Sequence, residues 1–305
     1  MSVSTEANGG MRLERGMRCP VSSPPEDSVR ANPARVYDAW LGGKNHYAVD
    51  RIVADRIAAV TPFVVAGARA NRAFLRRAVT YLVRIGVDQF IDVGSGLPTV
   101  RNVHEVARRV NPTARVAYVD LDPVVLAHAR ALLATDEHTI VVEGDARNPR
   151  AILTDPALTA HLDLSRPVAV LFVAVLHFLT DTDDPGAVVD AFRRAMAPGS
   201  HVVISHVTPG EPGQESGMAQ AVGLCASGAA PFTPRTRAQV RQLFTGFELV
   251  DPGVVPAQRW RPHGPQARTV LPIIAGVGRL HGAGATPPRR GISSRRRCTV
   301  TDPPT

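Results

Sequence analysis

Cysteine is scarce in this chain: Cys19, Cys225 and Cys298 lie far apart in 305 residues, odd in number and without a CxxC pair. That spacing argues against a disulfide framework or a zinc site, and reduced thiols are the expectation. No HxxxH pair or carboxylate cluster supplies ligands for another metal, so none is expected. Long apolar runs are missing too. The longest, Val168 to Leu176 followed by His177 and Phe178, falls far short of the ~20 residues that span a bilayer and reads as a buried strand. The first residues hold no apolar stretch of signal-peptide length, which makes a cytoplasmic location the expectation.

Positive charge is present but not gathered in the body of the chain. The net charge is +8, of which Arg289, Arg290, Arg295, Arg296 and Arg297, set against Asp302, carry +4 after residue 281. The rest is dispersed, whereas a nucleic-acid face needs basic residues on one surface, so no nucleic-acid site is expected in the body. Residues 1–30 combine Gly, Ser, Pro and balanced charge with little apolar periodicity and are expected to be disordered. Residues 282–305, rich in Gly, Pro and Arg, read as a disordered, solvated basic tail. With 44% hydrophobic residues overall, the segment between has ample material for a core.

What is there is an alternation of strand-like and helix-like runs, the pattern of a parallel sheet covered by helices. Phe74, Leu75, Ala78, Val79 and Leu82 lie at helical spacing within residues 72–85, and Gly86 ends that helix before a strand over Gln89 to Val93. Gly94-Ser95-Gly96-Leu97-Pro98 follows. Pro98 suits the first turn of a helix carrying Val103, Ala107 and Val110, which Asn111-Pro112 stops. The strand from Arg115 to Val119 runs into Asp120, and Asp122-Pro123 has the form of an N-cap followed by a helix's first residue. Further strands are expected over Thr139 to Val142, Val168 to Val173 and His201 to Ser205, with a helix over 185–196. Phe247 to Val255 and Leu271 to Val277, joined by a Pro-rich loop over 256–265, form a late pair suited to an antiparallel edge.

Chemistry concentrates at the ends of these strands. Gly94 and Gly96 occupy a strand-to-helix turn, where missing side chains let a ligand approach backbone amides. The GxGxxG fingerprint is incomplete, because Leu97-Pro98-Thr99 stands where the third glycine belongs, and this disfavours a nicotinamide or flavin. Asp120 closes its strand where a carboxylate accepts from both hydroxyls of a ribose; Asp122 is accounted for by capping. Asp145 ends the third strand, where its carboxylate can accept from an exocyclic adenine amine while the Ala146 amide serves a ring nitrogen. All three converge on the carboxyl edge of a parallel sheet, the ligand side of such folds.

Phe90-Ile91-Asp92-Val93-Gly94-Ser95-Gly96, Tyr118-Val119-Asp120-Leu121-Asp122-Pro123 and Gly144-Asp145-Ala146 together resemble the successive cofactor motifs of S-adenosylmethionine-dependent methyltransferases, with Asp92 as the acid that opens the first. The resemblance extends over about residues 30–280 to an actinobacterial family of such enzymes long catalogued as a domain of unknown function. Ala34-Arg35-Val36-Tyr37-Asp38, Leu41-Gly42-Gly43-Lys44-Asn45-His46-Tyr47, Asn71-Arg72, Gly96-Leu97-Pro98-Thr99, Asn102-Val103-His104-Glu105 and Leu176-His177-Phe178 carry it. It implies an α/β Rossmann-like fold: a seven-stranded, mostly parallel sheet with helices on both faces, an antiparallel late edge strand and an N-terminal helical lid. The domain is accordingly placed at residues 31–281, with the lid at 31–86 and the core at 87–281. The cofactor implied is S-adenosyl-L-methionine.

Gly42-Gly43-Lys44-Asn45 lacks the GxxxxGK[ST] pattern and a preceding strand, so it is not a phosphate loop. In the lid, Tyr37, Lys44, Asn45 or Tyr47 is instead expected to meet the methionine end of the cofactor, whose carboxylate suits a cation; an ordinary turn with an exposed lysine is the alternative. His177 follows the fourth strand and could remove an acceptor proton near neutral pH, or be a structural, hydrogen-bonded histidine. The function expected is methylation of an unidentified small-molecule acceptor. Two alternatives remain open: a regulatory protein that binds the cofactor without turnover, and a nicotinamide oxidoreductase, disfavoured by the missing glycine and by the lack of a YxxxK pair.

Overall fold

The computed structural model describes residues 30–99, 101–265 and 269–282. Cys19, Cys298, the basic tail and residues 1–29 of the N-terminal segment lie outside the described residues, and the expectations made for them stay there.

Three helices precede the sheet: α1 (Pro33–Leu41), α2 (Ala48–Val60) and α3 (Val64–Arg84). Asn32 starts α1 by accepting from the amides of Ala34 and Arg35, Pro33 takes the first helical position, and Gly42, at φ 78°, ends it in the left-handed region. Asp50 belongs to the first turn of α2, accepts from the Tyr47 amide at 2.7 Å, and pairs with Arg35 at 2.8 Å where both side chains are almost wholly buried. This ties α1 to α2. Helix α3 begins eight residues before the predicted 72, and it buries Phe74, Leu75, Ala78, Val79 and Leu82.

The remaining elements are β1 (Gln89–Val93), α4 (Val103–Arg108), β2 (Arg115–Asp120), α5 (Pro123–Leu132), β3 (Thr139–Glu143), α6 (Pro149–Leu153), α7 (Pro156–His161), β4 (Ala169–Val173), α8 (Pro185–Ala195), β5 (His201–Val207), α9 (Glu215–Gly228), α10 (Arg237–Gln242), β6 (Glu248–Leu249), β7 (Val255–Pro256) and β8 (Ile273–Arg279). The sheet runs β3-β2-β1-β4-β5-β8-β6, with β7 on β8; strands β1 to β5 are parallel and β8 lies antiparallel to β5. The chain order reverses beside β1, so the carboxyl ends of β1 and β4 flank the crevice where open α/β sheets take ligands.

Both faces are covered. Ile91, Val93, Val119, Phe172 and Ile204 pack with Ile152, Leu158, Val188 and Phe192 of α6, α7 and α8. Phe90, Tyr118, Leu171 and Val203, their neighbours in sequence, face the other way onto Phe74 and Leu82 of α3, Ala107 of α4 and Trp260. Two-sided burial is why these strands are continuous apolar runs rather than alternating ones. A third apolar cluster lies off the sheet, where Val36 of α1 and Val53 and Ile57 of α2 meet Ala221 and Cys225 of α9.

Two predicted elements differ. The helix after the glycine turn starts at Val103 and not at Pro98. Asn102 accepts from the Thr99 amide at 3.0 Å and Glu105 from the Arg101 amide at 2.9 Å, which shapes the segment as a loop; Arg101 has φ 65°. The predicted strand from Phe247 to Val255 is two 2-residue pieces, so the sheet has eight strands instead of seven. Pro252 cannot donate to a ladder, and Gly253, at φ 81°, returns its amide to Val250 at 2.8 Å in a tight turn.

Candidate functional site

A cavity of about 550 Å³ opens at the carboxyl ends of β1 to β4 and extends beneath α1, α2 and α9. Its volume is that of a ligand site. One side is made by the strand ends. Gly94 and Gly96 have φ 69° and 66°, a region that glycine enters freely. Their reasons differ. A Cβ on Gly94 would come within 2.3 Å of Val175, so its missing side chain makes room for protein, whereas a Cβ on Gly96 would meet nothing within 4 Å. Both glycines line the cavity, and Gly94 meets a packing demand as well.

Asp120 holds this turn in shape. One carboxylate oxygen accepts from the Gly96 amide at 2.9 Å; the other accepts from Leu121 and Asp122 amides at 2.9 and 3.1 Å. Burial raises its carboxyl above the usual range, and the three amides pull it back. Asp122 caps α5 through the Val124 and Val125 amides, as the sequence suggested, and it also accepts from the Asn32 side chain. Asn32 thereby joins the start of α1 to the start of α5.

Asp145 and Ala146 line the cavity beyond β3. Arg147 wraps back onto the Asp145 carboxylate, its Nε at 3.0 and 2.9 Å and Nη2 at 2.6 Å, and this pair holds the acid below its ordinary range. Asp145 is therefore a charged acceptor at the rim.

Asp92 is the most perturbed acid here. It is 6% exposed, lines the cavity, and its carboxyl is pushed up to about 7 by burial, eased by Arg72 and aggravated by Asp120. A buried carboxylate without a strong partner is costly. Asn71 and Ser95 line the same region, and the Asn71 Oδ1 and Ser95 Oγ are buried with no hydrogen-bond partner. Buried polar atoms are normally paired, so two orphans beside a strained acid mark a place where a ligand completes the bonding.

Tyr37, predicted from the lid, is in the cavity wall; its hydroxyl donates to the Ala68 carbonyl at 3.1 Å and accepts from Asn71 at 3.0 Å. Lys44 and Asn45 are not among the lining residues. The reason is Asp38, whose carboxylate accepts from the Asn45 amide at 3.0 Å and bonds His46 Nδ1 at 2.9 Å, drawing that loop onto α1. Lys44 stays exposed. Besides Arg147, which is paired with Asp145, the cation in the wall is Arg72 of α3, bonded to the Thr99 hydroxyl at 2.5 Å. The sequence offered Asn71-Arg72 only as a family-like pair, since nothing in a helical pattern says which polar positions face inward.

His177 follows β4 on a single 3₁₀ turn, Leu176–Phe178, and lines the cavity. Arg235, itself buried, fixes this turn by donating to the carbonyls of Leu176 at 3.1 Å and Leu179 at 3.0 Å. His206 Nδ1 bonds the Val207 carbonyl at 2.7 Å, leaving its Nε2 to accept from Arg235 at 3.2 Å. Three rings surround His177: Phe178 at 4.5 Å, His206 at 5.6 Å and Phe232 at 6.0 Å between ring centres. Burial, with His206 and Arg235 nearby, drives its imidazolium far below the ordinary histidine range, so the ring is neutral at physiological pH. Nδ1 is buried and unpaired. The structural reading that required a hydrogen-bonded histidine is not what the fold provides.

The chemistry of this lining suits S-adenosylmethionine: an acid at the end of β2, an acceptor and an amide after β3, and a cation, an acid and two orphaned acceptors beside them. The profile of the S-adenosyl methyltransferase family matches residues 22–281 of the chain. The chain belongs to that family. It is a methyltransferase and its cofactor is S-adenosylmethionine. Two solved structures resemble the methyltransferase over most of its length. A candidate methyltransferase from Thermobifida fusca is 41% identical, covering 86% of this chain and all of its own, with a TM-score of 0.79. A DUF574 family protein from Streptomyces avermitilis is 36% identical, covering 83% of this chain and 99% of its own, also at 0.79. No functionally curated protein matches. Family membership sets aside the nicotinamide alternative. Among the described residues no group of three or more metal-ligating side chains gathers, and no helix is long and apolar enough to cross a membrane.

Proposed function

We propose that this methyltransferase modifies a small molecule enclosed in the cavity, with the strand ends holding the cofactor and the helical cover holding the acceptor. In this reading Asp120 accepts from the ribose hydroxyls, Asp145 from the adenine amine, and the Ala146 amide serves a ring nitrogen. Arg72 pairs with the methionine carboxylate, and Asp92 with Asn71 Oδ1 receives the ammonium. When bound, the cofactor supplies an electrophilic methyl group on a sulfonium.

The observation that carries this division is the distribution of unsatisfied polar groups. Asn71 Oδ1, Ser95 Oγ and the Asp92 carboxylate lie on the strand side, while α1, α2 and α9 meet through an apolar cluster. A closed apolar cover excludes water and holds the acceptor close, which is most of what methyl transfer demands. His177 stands between the two sides as the candidate proton acceptor, held neutral and in place by the turn that Arg235 fixes.

The test is calorimetric titration with S-adenosylhomocysteine of the wild type, Arg72→Ala and Lys44→Ala. Arg72→Ala is expected to weaken binding about tenfold or more, the scale of a lost charge-assisted bond, and Lys44→Ala to leave it unchanged. The reverse order would remove the assignment of the methionine end.

A further inference from the structure

The part of the cavity under the helical cover has almost no polar valence left to offer. The Trp40 indole N–H donates to the Ala54 carbonyl at 3.1 Å, and the Thr61 hydroxyl donates to the Ile57 carbonyl at 2.5 Å. Asp38 holds the Asn45 amide and His46 on one oxygen, Oδ2. Burial pushes the Cys225 thiol up to about 11, so it stays protonated. What these side chains present inward is carbon and sulfur, joined by Met218 and Phe232 from α9 and the segment after it. The exception is His177, which lines the cavity, has no hydrogen-bond partner among the described residues for either ring nitrogen, and sits against Phe178 and Phe232.

Three consequences follow for the acceptor. A carboxylate or phosphate would be buried without a cation beside it, since Arg72 and Arg147 belong to the strand side, and such burial is prohibitive. An aliphatic ammonium would have to share Asp38, whose Oδ2 already holds the Asn45 amide and His46. A flat ring can use the aromatic walls by edge and face contacts, and one polar hydrogen on it can satisfy the lone imidazole. A thiol is nucleophilic with little help, whereas an aromatic hydroxyl, ionising near about 10, is uncharged at neutral pH and needs a base at the moment of reaction.

We propose that the acceptor is an uncharged aromatic hydroxyl compound lying in the apolar wing beside Phe232, and that His177 takes its proton. This rests on the proposed division of the cavity above. As the aryl O–H bond breaks, the proton passes to the imidazole. The aryl oxygen forms the new O–CH₃ bond while the S–CH₃ electron pair stays on sulfur, giving an aryl methyl ether, neutral S-adenosylhomocysteine and an imidazolium that releases its proton to water. The imidazolium is disfavoured at this site, which returns the base to its neutral form before the next turnover.

The experiment uses the full chain and begins by titrating S-adenosylhomocysteine, whose failure to bind would sink the cofactor assignment and not this proposal. On the saturated protein, 1-naphthol and 2-naphthol are titrated beside 1-naphthoic acid, and then both naphthols are incubated with methyl-labelled S-adenosylmethionine. The proposal expects naphthol binding without naphthoate binding, and labelled methyl ether. His177→Gln is expected to bind S-adenosylhomocysteine within about threefold of the wild type but to lose about 10²–10⁴-fold in kcat. That deficit shrinks as the pH is raised toward about 10, where the naphthol ionises unaided. Phe232→Ala is expected to raise the naphthol KM about tenfold with the cofactor affinity kept. With S-adenosylhomocysteine bound normally, preferential binding of naphthoate, absence of ether from both naphthols, or a His177→Gln deficit that ignores pH would each overturn it.

Discussion

The two walls of the cavity are built by different physics. The strand-side wall is polar and fixed by backbone: Asp120 alone gathers three amides, from Gly96, Leu121 and Asp122, and Asp122 caps α5. The helical wall is apolar and fixed by packing of α1, α2 and α9 around Ile57, Ala221 and Cys225. In the proposed reading one wall recognises a constant ligand through directed bonds, and the other shapes a space. On the proposed division, cofactor recognition rests on strand ends, where a backbone position dictates a side chain's direction, and the acceptor space on helix faces that can be repacked without disturbing the sheet.

The same contrast explains what was legible beforehand. Gly94, Gly96, Asp120 and Asp145 line the cavity and are legible in the sequence because each ends or follows a strand in a repeated β-turn-α rhythm, where register aims it at the crevice. Lys44 and Asn45 misled because they had the right chemistry on a loop whose direction is set by a tertiary contact, the Asp38 carboxylate. Arg72 and Asn71 went unassigned since α3 is polar at many positions and its inward face depends on docking. Helix α9 was not anticipated: Glu-Ser-Gly-Met-Ala-Gln-Ala-Val-Gly-Leu-Cys-Ala-Ser-Gly has small residues all round and no clear apolar stripe. The late strand failed locally, at Pro252 and Gly253.

The largest expected effect comes from breaking the strand-side wall at Asp120. Asp120→Ala loses the proposed ribose acceptor and frees the Gly96 amide together, and S-adenosylhomocysteine affinity should fall about 10²-fold or more in calorimetry; a change under threefold would show that the walls do not divide the work as proposed.

Asp92 sharpens the comparison, because it is an acid kept at a cost. With a folded-state carboxyl near 7 against an ordinary value of 3.8, the group stabilises the free protein fully only below about 4, and this contribution is lost as pH rises to about 7. Asp92→Asn should therefore raise the melting temperature of the free protein at pH 8, by about 1–3 kcal/mol of stability, while weakening cofactor binding. In the wild type the affinity for S-adenosylmethionine should drop as pH falls below about 7. Melting and titration across pH 5.5–8.5 check both signs.

Asn32 joins the walls through its bonds to the first turn of α1 and to Asp122. Asn32→Ala is expected to cost about 1–2 kcal/mol in denaturant unfolding and to weaken cofactor binding only severalfold. The smallest effect is expected at Trp40, where Trp40→Phe keeps an aromatic wall and forfeits one bond to the Ala54 carbonyl; cofactor affinity should stay within about twofold while stability falls by about 1 kcal/mol.

Hydrogen exchange of the full chain with and without saturating S-adenosylhomocysteine tests the division of the cavity most directly. The account predicts that slowing is greatest for the amides of Ser95 to Leu97 after β1, Leu121 and Asp122 after β2, and Ala146 after β3, with smaller changes in α1 and α9. Protection confined to α1, α2 and α9, with the three strand-end loops exchanging as in the free protein, would contradict it.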